Sequence, residues 1–289
     1  MTEKVSIYRT EAGARAVREY YLAALAGWPV EHEELRIPTP EGETFVLAAG
    51  DAAAPPLVLL HGSGSNSMVW MGRIPELARE FRVYAVDMIG EPGLSAASRP
   101  PLDSGRYAAW LDAVLDFLGV ERAGFMGISL GGWLALDYTI RRPERVARLA
   151  LSCPGGIGRQ KLSVVFRALL LSALGEWGRR RSASGTLGPA LSTMDCEVAE
   201  QAMEWVMLVS RHYRYRRDPL PVFGDDALRK LAVPVQVIVG QQDVLFDSAE
   251  TKRRLETAVP HAIVRLLPGV GHFVPAQPDE LEFLTSQPK

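Results

Sequence analysis

Gly124-Phe125-Met126-Gly127-Ile128-Ser129-Leu130-Gly131 is the stretch on which the reading of this chain turns. Gly124 to Ile128 is a short apolar run of the kind that forms a buried strand. A helical pattern starts at Leu130 and runs to Arg142, where Pro143 stops it. The junction carries the only G-x-S-x-G in the sequence, Gly127 to Gly131. A strand that becomes a helix within one residue strains the backbone at the junction, and small flanking residues let it fit. The turn lifts the Ser129 hydroxyl above the sheet edge and aims a helix N-terminus at whatever the hydroxyl attacks. A glycine-rich turn with a passive serine would carry the same letters. The strand before Ser129 and the helix after it are what point to a nucleophile.

Outward from that junction, apolar runs and periodic segments alternate. Leu57 to Leu60, Val83 to Val86, Leu149 to Leu151, Val235 to Val239 and Ala262 to Leu267 read as further short strands, as in a parallel sheet covered on both faces. Ser104 to Leu118 has apolar residues at 107, 108, 111, 114, 115 and 118, a helical period, with Gly119 where a C-terminal cap belongs. Ser248 to Val259 is another helix, with Ser248 as its expected N-cap. Strands alternating with helices imply a doubly wound, mostly parallel α/β sheet. Two stretches break the rhythm. Before the sheet, a helix from Thr10 to Ala26 precedes a hairpin, Glu33 to Pro38 and Glu43 to Ala49. The interval from about Pro154 to Pro234 is too long for one crossover, and Leu162 to Leu174 and Glu197 to Arg217 look helical within it. The expected organisation is an N-terminal helical extension over 1–32, a core over 33–153 and 231–289, and a helical lid insertion over 154–230.

Composition removes several function classes. The 289 residues suffice for a real core without disulfides or metal. A net charge of −2 offers no basic excess for nucleic acid. No apolar run approaches a membrane span, the N-terminus lacks a signal-peptide pattern, and two cysteines cannot build a disulfide framework. A cytoplasmic protein is expected, with no membrane or nucleic-acid partner.

A serine hydroxyl needs a base. Of the five histidines, His272 lies in the loop directly after the last strand, and loops at the carboxyl ends of parallel strands line the functional crevice. His32, His212 and His261 are expected to face solvent. The base needs a carboxylate to fix its tautomer. Asp243 follows the strand Val235 to Val239 through Gly240-Gln241-Gln242, with Asp247 as its rival. The order Ser129, Asp243, His272 suits this kind of sheet. The oxyanion hole should come from backbone N–H groups. Leu130 supplies one donor, and Leu60-His61-Gly62-Ser63-Gly64 supplies the other, from Ser63 first or Gly64 second. His61 is read as bracing that loop.

These residues together resemble the α/β-hydrolase superfamily in its serine-nucleophile branch. The likeness rests on His61-Gly62, on Asp87-Met88-Ile89-Gly90-Glu91-Pro92-Gly93-Leu94-Ser95, on the turn at Ser129, on Gly240-Gln241-Gln242-Asp243 and on Gly271-His272. The Gly-Glu-Pro-Gly-x-Ser turn, the N-terminal helix and Trp133 are similar to a bacterial carboxylesterase-type branch. The resemblance implies a serine hydrolase acting on a small carboxylic ester through an acyl-enzyme, without cofactor or metal. Carbon–carbon bond hydrolases and cofactor-free perhydrolases keep the same triad, and a non-catalytic ligand receptor is the alternative of another class. Because the sheet motifs supply every catalytic group, the insertion is expected to serve specificity, with Phe166 and Leu170 lining the acyl site; packing of the same apolar helix on the core is the equal alternative. Arg179 to Arg181 and Arg211 to Arg217 are expected on solvated helix faces or ends, and Cys153 as a buried apolar residue.

Overall fold

The computed structural model describes residues 6–161, 171, 174–188 and 195–286. Helix α1 (Glu11–Leu25) starts where the sequence puts it, because the Thr10 side chain accepts the Gly13 N–H at 3.0 Å. Strands β1 (His32–Thr39) and β2 (Gly42–Ala49) pair antiparallel down to Thr39 and Gly42, so only Pro40 and Glu41 lie in the turn. There follow β3 (Pro56–Leu60), α2 (Ile74–Glu80), β4 (Arg82–Val86), α3 (Arg106–Phe117), β5 (Ala123–Ile128), α4 (Leu130–Arg141) and β6 (Val146–Ser152). Within the insertion lie α5 (Gly175–Leu187), α6 (Cys196–His212) and α7 (Asp225–Leu228). The chain then returns as β7 (Val235–Gly240), α8 (Ser248–Ala258), β8 (Ile263–Leu267) and α9 (Pro278–Thr285).

The sheet is eight-stranded, in the order β1-β2-β4-β3-β5-β6-β7-β8. The pairings that involve β1 and β2 are antiparallel, and every other one is parallel. The chain passes from β3 to β4 on one side and to β5 on the other. A crevice therefore opens beyond the carboxyl ends of β3 and β5, the place where open α/β sheets bind ligands. One face of the sheet buries α3, α4 and α8 residues such as Trp110, Leu134 and Leu255. The other buries Val17 and Tyr21 of α1, Leu77 of α2, and Trp205 and Val209 of α6.

Several expected boundaries move for physical reasons. α3 begins at Arg106 after a left-handed Gly105 rather than at Ser104, and a left-handed Gly119 follows its end as expected. The N-cap of α8 is Asp247, not Ser248, since the Asp247 carboxylate accepts the Glu250 N–H at 2.9 Å. α6 ends at His212, not Arg217, because the next residue turns inward: Tyr213 is fully buried. Arg211, Arg214, Tyr215 and Arg217 are exposed at this helix end as expected, but Tyr213 and Arg216 turn inward. The Arg216 side chain is only 8% exposed and donates to the Pro100 carbonyl and the Tyr107 hydroxyl, both at 3.0 Å. Arg180 and Arg181 are exposed as expected. Of Leu162 to Leu174, only Leu171 and Leu174 are among the described residues; Phe166 and Leu170 lie outside them.

The segment before α1 is bonded to the insertion, and α1 itself to the loop that follows β4. The Arg9 N–H donates to the His212 carbonyl and the Arg214 N–H to the Ile7 carbonyl, each at 2.8 Å. His212 packs against Gly13, and the Tyr20 and Trp205 rings lie 5.7 Å apart. The Tyr21 hydroxyl donates at 2.9 Å to the buried Asp87 carboxylate, which also accepts the Ser67 N–H, the Ser67 hydroxyl and the Leu94 N–H. A buried hydrogen bond to a carboxylate contributes about 1.5–3 kcal/mol. Tyr21→Phe should therefore lower the free energy of unfolding in urea by about that amount; an unchanged midpoint and slope would contradict the bond.

Candidate active site

Ser129 caps α4 at φ +52° and ψ −107°, a backbone conformation that only glycine adopts without strain. Among the described residues, Cys153 at φ +43° is the one other non-glycine residue with positive φ. Hydrogen bonds grip Ser129 from two sides. Its N–H donates to the Ser152 carbonyl at 3.0 Å, and its own carbonyl accepts the N–H groups of Trp133 at 2.9 Å and Gly155 at 3.1 Å. The motif glycines are required by contact. A Cβ on Gly131 would come within 2.2 Å of the Leu60 carbonyl oxygen, where β3 passes beneath the turn.

Asp243 and His272 emerge beyond β7 and β8, the next strands but one and two from β5. Their loops touch so closely that a Cβ on Gly240 would meet the Gly271 carbonyl at 2.1 Å. Asp243 is 2% exposed. Its Oδ2 accepts from His272 Nδ1 at 2.8 Å, and its Oδ1 accepts the N–H groups of Leu245 at 2.7 Å and Phe246 at 3.2 Å. Burial alone would raise the carboxyl pKa, but the His272 hydrogen bond and charge, with the two amides, hold it below the ordinary value. With Nδ1 donating to the acid, His272 keeps the Nε2 lone pair available as a proton acceptor. Asp247, the rival, spends its carboxylate on the cap of α8.

Cys153 joins these elements. Its Sγ, an Asp243 carboxylate oxygen and a His272 ring nitrogen lie within 4.8 Å of one another, and the residue before it accepts the Ser129 N–H. Burial, then the Asp243 charge, raises the thiol pKa far above its ordinary value, so Cys153 is neutral there. It is buried as expected, but it sits against the acid–base pair, which the sequence did not suggest. The other histidines are engaged elsewhere. His32 bonds the Val30 carbonyl at 3.1 Å, His261 bonds the Val233 carbonyl at 3.0 Å, and half-buried His212 lies on α1.

The loop after β3 lies against the serine: a Cβ on Gly62 would stand 3.6 Å from Ser129 Cβ. His61 is fully buried, and its Nε2 accepts the Met88 N–H at 2.9 Å. Nδ1 therefore carries the proton and donates to the Gly62 carbonyl at 2.8 Å. Burial lowers the pKa of this imidazole and keeps it neutral, a brace rather than a base. Ser63 is exposed and Leu130 opens α4. The Gly64 N–H is already committed to the Glu91 carboxylate at 2.6 Å, and the Gly64 carbonyl accepts from Trp205 Nε1 at 3.0 Å. Burial raises the Glu91 carboxyl pKa, opposed by the Gly64 amide, the Tyr213 hydroxyl and the charges of Arg99 and Arg216. The insertion thus reaches the loop beside the serine. Its Gly188 also packs on Gly271, next to His272. In the sequence Glu91 reads only as part of a turn; a charge among small and apolar residues is the available signal.

The sequence profile described as the alpha/beta hydrolase family matches residues 57–282. The "uncharacterized carboxylesterase nap" of Bacillus subtilis is 32% identical over 276 residues, covering 91% of this chain and 89% of that protein. The carboxylesterase YbfK of the same organism is 29% identical, covering 93% and 91%. The crystal structure of naproxen esterase (carboxylesterase NP) from Bacillus subtilis superposes with a TM-score of 0.78 at 28% identity, covering 96% of this chain and 95% of that one.

Asn at 243 keeps the size of the acid but no longer favours the Nδ1–H tautomer of His272, so Asp243→Asn should cost a factor on the order of 10⁴ in kcat on an ester. Asp247→Asn keeps a good N-cap and should change kcat and stability little. The reverse ranking would assign the acid to Asp247.

Proposed function

Because the chain belongs to the alpha/beta hydrolase family, we propose that it is a serine carboxylesterase that cleaves small carboxylic esters through an acyl-enzyme. The observation that carries this reading is the Asp243–His272 hydrogen bond at the same sheet edge as the strained turn at Ser129. Ser129 Oγ attacks the ester carbonyl carbon while His272 Nε2 takes its proton. Asp243 holds the ring and stabilises the imidazolium that forms. The N–H groups of Ser63 and Leu130 receive the developing oxyanion; the commitment of Gly64 N–H to Glu91 favours Ser63 over Gly64. His272 then returns the proton to the departing alkoxide, and water, activated in turn by His272, releases the acid. No step calls for a cofactor.

The core over 33–153 and 231–289 supplies these groups, the extension over 1–32 buttresses the insertion, and the insertion over 154–230 shapes the site. Relatives that align over about nine-tenths of the chain and bear the name carboxylesterase favour ester over carbon–carbon bond cleavage. The partner is a small-molecule ester. Among the described residues no helix is long and apolar enough to cross a membrane. The two free cysteines, Cys196 among them exposed, favour a reducing cytoplasm.

A fluorophosphonate probe should label one serine per chain, and Ser129→Ala should abolish the adduct. Mass-spectrometric location of the adduct elsewhere, or none in folded protein, would sink the proposal. A graded series of p-nitrophenyl esters then reads out acyl preference. A histidine base works only when unprotonated, so kcat/KM should rise with pH to a plateau governed by one ionisation. A rate that stays flat between roughly pH 5 and 9 would contradict such a base.

A further inference from the structure

We propose that Glu91 is a positioning residue for the oxyanion hole: its carboxylate captures the Gly64 amide and thereby sets the peptide that presents Ser63 N–H to the reacting carbonyl. The inference rests on the serine-hydrolase reading and extends it to a residue outside the triad. The peptide geometry comes first. A trans peptide points its C=O and N–H in opposite directions. His61 Nδ1 holds the Gly62 carbonyl at 2.8 Å, so the Ser63 N–H of that same peptide faces away from His61. The following peptide is fixed independently, its Gly64 N–H running 2.6 Å to Glu91 Oε2. Two adjacent peptides are thus clamped by two buried side chains, and the amide between the clamps is that of Ser63.

Glu91 is costly in this position. It is 3% exposed, and among the described residues it makes no salt bridge at contact distance. Among the described residues, neither of the two arginines whose charge bears on it hydrogen-bonds to it. Arg99 Nε donates to the Gly90 carbonyl at 2.9 Å, with its guanidinium 5.0 Å from the Tyr213 ring centre; Arg216 donates to Pro100 and Tyr107. For stability alone, an apolar residue would serve a buried site as well or better. What an apolar residue lacks is an acceptor for Gly64. The turn that carries Glu91 also touches the insertion, because Tyr213 donates to the carbonyl of the neighbouring Gly90 at 3.0 Å. Gly64 itself has no freedom to compensate. It sits at φ +72°, Tyr215 occupies the space a Cβ would need, and Trp205 holds its carbonyl.

Three variants separate the acceptor from the charge. Glu91→Gln keeps length and an acceptor oxygen, Glu91→Asp keeps the charge but loses reach, and Glu91→Met keeps volume alone. Rates on a p-nitrophenyl ester are normalised to serines titrated by fluorophosphonate, so that unfolded molecules do not count. In Asp and Met variants kcat should fall roughly 10- to 100-fold, less than the loss of a whole oxyanion donor. KM should stay within about threefold, as expected for an interaction made only in the transition state. The affinity of a trifluoromethyl ketone, whose adduct carries the oxyanion, should fall by the same factor as kcat. Gln should recover most of the loss. If Met does not fold, the comparison of Asp with Gln decides. Labelled Asp and Met variants with the parent kcat, or Asp fully active where Gln is impaired, would overturn the role of Glu91 alone. Absence of labelling in the parent protein would overturn the serine-hydrolase reading and this inference with it.

Discussion

Ser129 sits where its backbone is least comfortable, and the surrounding structure is arranged to keep it there. A non-glycine residue in such a conformation costs on the order of 1–3 kcal/mol and persists only where its neighbours over-determine it. Here they do. β5 is pinned in the parallel sheet between β3 and β6, the Ser129 N–H is fixed to Ser152, and Gly131 lies directly on the Leu60 carbonyl. Relaxing the turn would require β3, β5 and β6 to shift together. The strain is therefore borne by central strands of the sheet, whose buried apolar residues resist such a shift because their interior is close-packed.

The same edge explains why a carboxylate can be buried beside the base. Among the described residues the Asp243 carboxylate pairs only with the imidazole it orients, while Lys161 Nζ donates to the Asp243 backbone carbonyl at 2.7 Å, and three N–H groups converge on the two carboxylate oxygens. Those donors replace the hydration that burial removes, which keeps the ionised form favoured. The neutral Cys153 thiol fills the remaining side without adding a competing charge. Close approach of the Gly240 and Gly271 loops brings the pair together, so the acid–base geometry is a property of two neighbouring strands rather than of either loop.

Much of this was legible in the sequence because buried parallel strands are written as short apolar runs, and because strand-turn-helix with small residues has few other readings. Ser129, Asp243 and His272 could be placed at carboxyl ends of strands from order and position alone. Local chemistry that depends on distant partners could not. Asp247 and Ser248 are equally good caps on paper; the carboxylate that makes the bond decides, and it also removes Asp247 as partner of His272. Arg211 to Arg217 has the charge density of a solvated face, yet Tyr213 and Arg216 turn inward because Gly90, Pro100 and Tyr107, more than a hundred residues earlier, offer them acceptors. Glu91 was invisible as a functional candidate for the same reason, since its meaning lies in an amide 27 positions away.

The division expected from the sequence, chemistry in the sheet and selectivity in the insertion, is joined in the structure by contacts between the insertion and the loop beside Ser129. Trp205 of α6 holds the Gly64 carbonyl, Tyr215 lies on the Gly64 Cα, and α1 in turn packs against α6 through Gly13 and Tyr20. The loop beside Ser129 is consequently braced by three segments far apart in sequence: the turn at Glu91, the insertion and, behind it, the N-terminal helix. A loop on the surface of a sheet is ordinarily the most mobile part of such a fold. Each brace removes one direction in which this one can move, and a donor that must meet a charge only in the transition state needs that rigidity before the substrate arrives. On the proposed reading of that loop, a helix that forms no part of the sheet bears on the chemistry through the loop that it helps to hold still.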